Sequence, residues 1–596
     1  MKLALPLAAL AMAVTPLLAQ PPQPGTAYAL PQANEILEKM QEIRLAPDLS
    51  RLSPAERQAM AKLLEVGRIF QDIYETQRHR DALVVRAALE RSNRARMLRQ
   101  EDHARLTLYR LFQGPIATTL DNRREPFVAV PPAPAGKNVY PWDLTRAELD
   151  AYLAAHPQQR AELSDARSVV RRADAASLRA DIAALRRHPV LDALHPGLRA
   201  HLEGLARLPT SVVLYGLPYS VAYADETVRA HGLLNQAADL VQPSDAEFAG
   251  YLRNRARDLL SDDYESGDAA WVTGHFRNLN AQIGAYETYD DELLGTRAFY
   301  SFSLLAARSD ETAALRRGMQ GLQAVEDALP YDRHKRIRED IPVGVYDVVA
   351  DFGQSRGGNT ASILPNEALF ARRYGRTILL RANIMRSPEI FGAGSTVWRA
   401  VMAPRHADQL TADSTFHRTL WHEVGHYLGV DRTRDGRDLD AALGANGNLL
   451  EEMKADLVSL FAGQELRRRG YFTDETLRSH YAAGINRTLQ NVRPRRDQPY
   501  QTMQLMQFNW FLDRGVLRFD RETQRLSIDY DNYHRAVSDL LREVLALQDR
   551  GDERAADAFI TRWSRWDDDL HGRLAGNMRA QQRYRYRLFS YAALDG

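Results

Sequence analysis

Thr419 to Val430 reads TLWHEVGHYLGV, in which two histidines stand four residues apart with a glutamate directly after the first. On a helix, positions i and i+4 lie one turn apart on one face, so the imidazoles of His422 and His426 can converge on a single divalent cation. Leu420, Val424, Tyr427 and Leu428 recur at i, i+4, i+7 and i+8 and form the apolar stripe that such a helix needs. Glu423 is rotated about 100° from His422. It therefore approaches a water at the cation rather than the cation itself, which is the placement of a general base. Gly429 follows the last apolar residue and predicts the helix stop.

A tetrahedral catalytic zinc needs a third protein ligand and one open position. GNLLEEMKADLVSLF, Gly447 to Phe461, carries an apolar stripe of Leu449, Met453, Leu457, Leu460 and Phe461, with Glu452 beside it. Glu452 is the candidate third ligand, for one Zn2+ per chain. Asp456 lies one turn further on the same face, where it can accept the second N–H of a ligating imidazole. Glu451 faces another direction, either as a further partner of this kind or as an exposed carboxylate.

These helices sit in a chain of 596 residues, long enough for two or more lobes with substantial cores. With 45% apolar and 26% charged residues it has the composition of an ordinary globular protein. A formal net charge of +1 offers no electrostatic basis for nucleic acid as the main partner. The start, MKLALPLAALAMAVTPLLAQPPQPG, has one Lys, a short apolar run and a small residue at Ala19, the pattern of a cleavable signal over residues 1–19. The expectation is export to the periplasm or beyond, without stable membrane insertion, since no later segment reaches about 18 apolar residues. Cysteine is absent, so disulfides contribute nothing.

Residues 20–205 show mainly helical spacing. From 206 to 400, β-branched and aromatic runs such as SVVLYGLPYSVAY, VGVYDVVADFG and RTILLRANIM alternate with helical or Gly-rich segments. Helices return over 401–596, broken by a hairpin at GVLRFDRETQRLSIDY. The fold class expected is α+β, predominantly helical, with two lobes across a wide cleft and a helical zinc lobe facing a mixed β-containing lobe.

HEVGH followed by EEMKAD resembles the dipeptidyl peptidase III family of zinc metallopeptidases, in a form with a five-residue rather than six-residue histidine motif. Two further segments carry the resemblance, which covers roughly residues 200 to 550. IGAYETYDDELLGTRAFYSF is similar to the family segment whose Glu and Tyr line the substrate cleft, implicating Glu287 and Tyr289; ILPN is similar to its Asn-x-x-Asn strand end, implicating Asn366. Where the family has its first Asn this chain has Ile363, and Tyr500 stands where relatives place a His that stabilises the transition state. A phenol still donates a hydrogen bond but carries no positive charge.

The resemblance implies release of dipeptides from the N-terminus of short peptides. Glu423 would act as base and Tyr289 would stabilise the oxyanion or else pack within a strand pair. Glu287 and Asn366 would hold the peptide α-amino group, the alternatives being a strand-edge carboxylate and a turn residue. Two other functions fit the same residues: a zinc-bearing protein that binds peptides with little turnover, and a zinc hydrolase of another amide or ester. A nucleotide-hydrolase assignment finds no support, because no Gly-x5-Glu-x7-Arg-Glu-x-x-Glu-Glu box is present.

Overall fold

A computed structural model of the chain describes residues 26–94, 100–120, 123–288, 290–337, 342–364, 370, 373–375, 377–437, 439–494, 496 and 499–595. The expected export signal lies outside them. In chain order, the elements that frame the site begin with β1 (Met40–Leu45), α1 (Pro54–Arg78), β2 (Ser168–Ala173), β3 (Thr210–Pro218), α2 (Ala224–Val241) and α3 (Ala246–Ser261). The central strands follow: β4 (Leu279–Ala285), β5 (Tyr300–Ala307), β6 (Val343–Gly353), β7 (Ala361–Leu364) and β8 (Thr377–Arg381). The last third holds α4 (Ala412–Gly425), α5 (Gly447–Arg468), α6 (Asp474–Thr488) and α7 (Pro499–Asp513). A hairpin of β9 (Leu517–Asp520) and β10 (Arg525–Ile528), then α8 (Tyr533–Arg550) and β11 (Tyr586–Tyr591), complete the frame. The architecture is predominantly helical α+β. No helix among the described residues is long and apolar enough to cross a membrane.

Two large apolar cores make the two lobes, and a smaller third cluster that includes Tyr28, Ile36, Tyr109 and Phe127 packs in the N-terminal region. The first gathers Leu63, Phe70 and Ile73 of α1, Leu234 and Leu252 of α2 and α3, and Ile283 and Phe302 of β4 and β5. The second gathers Leu420, Leu457, Met506 and Leu541 from α4, α5, α7 and α8. A five-stranded sheet in the order β4-β5-β6-β8-β7 joins them. Because strand side chains alternate faces, Ile378 and Leu380 of β8 pack in the second core while Leu379 packs in the first. In β6, Val343 and Val345 belong to the second core, Val348 and Phe352 to the first. The β5/β6 register shifts between Leu304 and Leu305, the kind of irregularity that lets one strand change the face it presents.

Local signals explain the long helices. Ser53 caps α1 by accepting from the Glu56 N–H at 3.2 Å while Glu56 accepts from the Ser53 N–H at 2.8 Å, and Pro54 occupies the first turn. Gly67 lets α1 lie directly on the sheet, since a Cβ there would come within 2.3 Å of the Phe352 ring. The helical spacing of residues 32–205 is interrupted by strands that the pattern did not announce. One of them, β1, pairs in parallel with β11 at the far end of the chain, from Met40 opposite Tyr586 to Leu45 opposite Tyr591.

Candidate metal centre

Helix α4 is capped by Thr411, which accepts from the Ser414 N–H at 3.0 Å, and buries Phe416, Leu420 and Val424 along one stripe. His422 and Glu423 ride on its last turn, and His426 is its C-cap, with φ −65° and ψ −23° still helical. The turn beyond is fixed by Gly429 at φ +79°. Its N–H donates to the buried Glu326 carboxylate at 2.8 Å, and Lys454 Nζ donates to the Leu428 carbonyl at 2.8 Å. Helix α5 is buried on nearly every side, so its polar residues must find partners inside the protein.

Those partners assemble around one point. His422 Nε2 lies 3.2 Å, and His426 Nε2 3.7 Å, from Glu452 Oε2. All three potential ligand atoms fall within 4.8 Å of one another, and no other such His/Cys/Asp/Glu group occurs among the described residues. Glu452 Oε2 is buried and accepts no hydrogen bond from any described residue. A buried carboxylate oxygen left without a donor is costly, and a cation between it and two imidazole nitrogens resolves that cost. Two nitrogens and one oxygen also match the donor set of a catalytic zinc, with bonds near 2.0–2.2 Å. The residues therefore fit the metal.

The other imidazole nitrogens face away from this point. His422 Nδ1 is 2.7 Å from Asp456 Oδ1, and His426 Nδ1 is 3.0 Å from Glu451 Oε1. Such contacts fix the tautomer that leaves Nε2 with its lone pair. Asp456 is surrounded: Arg418 approaches at 2.5 Å, Arg487 at 3.0 Å and Gln507 at 3.2 Å. Burial opposes its ionisation, yet the two guanidinium groups and His422 hold its carboxyl well below the usual range. Burial likewise opposes ionisation of Glu451, but Lys454 at 2.8 Å and the His426 N–H bring it down to about 2. Gln548 adds a hydrogen bond at 3.2 Å.

Tyr500 sits at the start of α7 with its hydroxyl donating to Glu452 Oε1 at 2.8 Å. The sequence reading puts Tyr500 where relatives place a His that stabilises the transition state; its hydroxyl here contacts the candidate ligand Glu452. Burial and the Glu452 charge, with Glu423 adding, push the phenol upward, so it stays a donor. Glu423 is half-buried beside them.

Of the remaining site candidates, Glu287 is the one among the described residues. Glu287 follows β4 on the first lobe, half-buried, with its carbonyl accepting from the Phe299 N–H at 3.1 Å. The loop that follows is held by Asp291, which accepts the backbone N–H groups of Leu293, Leu294, Thr296 and Arg297 at 2.9–3.0 Å, and the Tyr140 hydroxyl at 2.9 Å. Tyr289 and Asn366 lie outside the described residues.

Sequence reasoning missed Arg418, Arg487, Gln507, Lys454 and Glu326. For Arg418 a signal existed: it precedes His422 by one helical turn and so shares its strip. Arg487 and Gln507 come from α6 and α7, and no spacing links them to Asp456.

No protein-family model matches the chain. Nudix hydrolase 3 of Arabidopsis thaliana is 26% identical over 441 residues, covering 72% of this chain and 54% of the relative. The chain thus spans about half the length of that curated relative. Among solved structures, dipeptidyl peptidase III from Caldithrix abyssi aligns with a TM-score of 0.77 at 22% identity, over 94% of this chain and 98% of that one. Dipeptidyl peptidase III from Corallococcus sp. strain EGB aligns with a TM-score of 0.69 at 22% identity, over 94% and 97%. The chain has the dipeptidyl peptidase III fold over nearly its whole length.

Proposed function

We propose that the protein is a zinc metallopeptidase that releases dipeptides from the N-terminus of short peptides. The observation that carries this is the unsatisfied, buried Glu452 Oε2 facing the Nε2 atoms of His422 and His426. Bound there, zinc would polarise the scissile carbonyl and acidify a water. Glu423, one residue along from the first candidate ligand, takes a proton from the attacking water and returns it to the leaving amine. Asp456 and Glu451 keep the two imidazoles oriented throughout. The Tyr500 hydroxyl holds Glu452 Oε1, and Oε2 would be free for the metal. On the other lobe, Glu287 holds the α-ammonium of the peptide through a charge-assisted hydrogen bond, aided by Asn366, and so sets the distance to the cut.

The shared fold and the histidine-glutamate geometry support this reading. So does the presence of Glu423, which binding without turnover does not require. The protein acts after export, which N-terminal sequencing of the mature chain tests by locating a start near residue 20. The direct test combines metal analysis of the purified protein with mass spectrometry of products from a decapeptide. About one zinc per chain and chelator-sensitive release of N-terminal dipeptides are expected. Glu423→Ala should retain the zinc and lose at least about 10²-fold to 10⁴-fold in rate. Peptide binding without release points instead to a scavenger, and inertness toward peptides to another amide or ester substrate; either outcome ends the peptidase proposal.

A further inference from the structure

The N-terminal part of the chain, which carries no recognised motif, builds a small cationic cavity together with Glu292 from the segment that follows Glu287. About 110 Å³ in volume, the cavity lies between the end of α1, the hairpin of Ile116–Thr118 with Arg124–Pro126, and the loop through residues 132–137. That is room for three or four waters or one small oxyanion. Its charged lining consists of Arg78, Arg124 and Lys137 against the single carboxylate of Glu292, with His79 beside them.

The charges do not balance. Lys137 Nζ is 3.1 Å from Glu292 Oε2, and Arg124 pairs with the other oxygen of the same carboxylate. Arg78 donates to the Phe112 carbonyl at 2.6 Å and stands 3.6 Å from Asp290. The Lys137 side chain is only 4% exposed, whereas that of Glu292 is 41% exposed and so a weakened counter-charge. Burial pushes the Lys137 ammonium below its ordinary range against the pull of Glu292, and the like charges of Arg124 and Arg78 add to the depression. Lys137 also adopts φ +51°, a left-handed conformation uncommon for a lysine. A buried ammonium held in this way, sharing its one lining carboxylate with an arginine, is stabilised by a second anion.

We propose that this cavity binds a phosphate-sized oxyanion through Lys137, Arg124 and Arg78. Guanidinium groups present paired N–H donors that match phosphate, sulfate or carboxylate oxygens and not a monatomic anion. The site is independent of the metal centre: none of its lining residues belongs to the helices that carry His422, His426 or Glu452.

Isothermal titration of the full-length, metal-replete protein with sodium sulfate, potassium phosphate, sodium acetate and sodium chloride at matched ionic strength tests the assignment. One saturable site with a Kd below about 1 mM is expected for sulfate and phosphate, with chloride giving none. Saturation by acetate as well would extend the ligand class to carboxylates. Arg124→Gln, at a largely exposed position, and Lys137→Gln should each weaken binding at least about tenfold while zinc content stays unchanged. If Lys137→Gln does not fold, Arg124→Gln decides. Heats indistinguishable from chloride, or saturable binding of unchanged affinity in the variants, would overturn the proposal.

Discussion

Replacing Gly425 by Ala tests whether the metal centre depends on how closely α4 and α5 approach. A Cβ at this position would lie 2.6 Å from the Ala455 carbonyl oxygen and 2.9 Å from its Cα. Ordinary contact begins near 3.4 Å, so the helices must separate by about 0.8 Å, and the obstacle is backbone that cannot rotate away. His422 and His426 ride on one helix and Glu452 on the other, and metal sites tolerate only about 0.2 Å of error in ligand distance. We expect Gly425→Ala to cost about 1–3 kcal/mol in unfolding free energy, and to weaken zinc about 10-fold to 100-fold, the range seen when the supports of a ligand are lost. Competition with a chromophoric chelator measures the affinity, and thermal unfolding of the metal-free protein measures the stability. Gly250→Ala in α3 is the control, because a Cβ there meets nothing within 4 Å. A Gly425→Ala protein with parental zinc affinity and parental Tm would refute the argument that this glycine sets the spacing.

Other expectations follow from the surroundings of the two imidazoles. Asp456→Asn leaves Arg418 buried without its counter-charge and should cost about 3–5 kcal/mol; Arg418→Met in the same chain should recover part of that loss, and strictly additive unfolding energies would deny the coupling. Tyr500→Phe removes only the hydroxyl on Glu452 and should lower zinc affinity about tenfold at most with Tm unchanged; a fall in Tm of several degrees would show the ring to be structural. His480 is fully buried and donates to the Ser459 carbonyl at 3.1 Å; burial lowers it to about 3. It therefore stays neutral in the fold while the unfolded chain takes up a proton below the usual value near 6.5. Its stabilising contribution is complete above pH 6.5 and is lost on acidification toward pH 3, by about 1.4 kcal/mol per pH unit. Unfolding followed from pH 7 to pH 4 should show this slope, reduced in His480→Gln; equal slopes in the two proteins would contradict it.

The local layout of the candidate site was legible in the sequence because local geometry governs it. Residues four apart on a helix share a strip, so His422 with His426, and Glu452 with Asp456, can be paired from spacing alone, and the apolar stripes say which way each helix faces. Capping residues such as Ser53 and Thr411 mark helix starts through bonds that span only three positions, whereas Gly429, expected as the stop of α4, lies beyond its actual end at Gly425. What sequence spacing does not encode is contact between elements far apart in the chain. Only the tertiary structure decided that Arg418, Arg487 and Gln507, from three different helices, surround Asp456, and that Tyr500 donates to Glu452. The same holds for the pairing of β1 with β11 across more than 500 residues, and for a sheet whose alternate residues feed two separate cores. The physical reason is that side-chain periodicity fixes which face of an element is apolar, while packing of many such faces at once selects which of them meet.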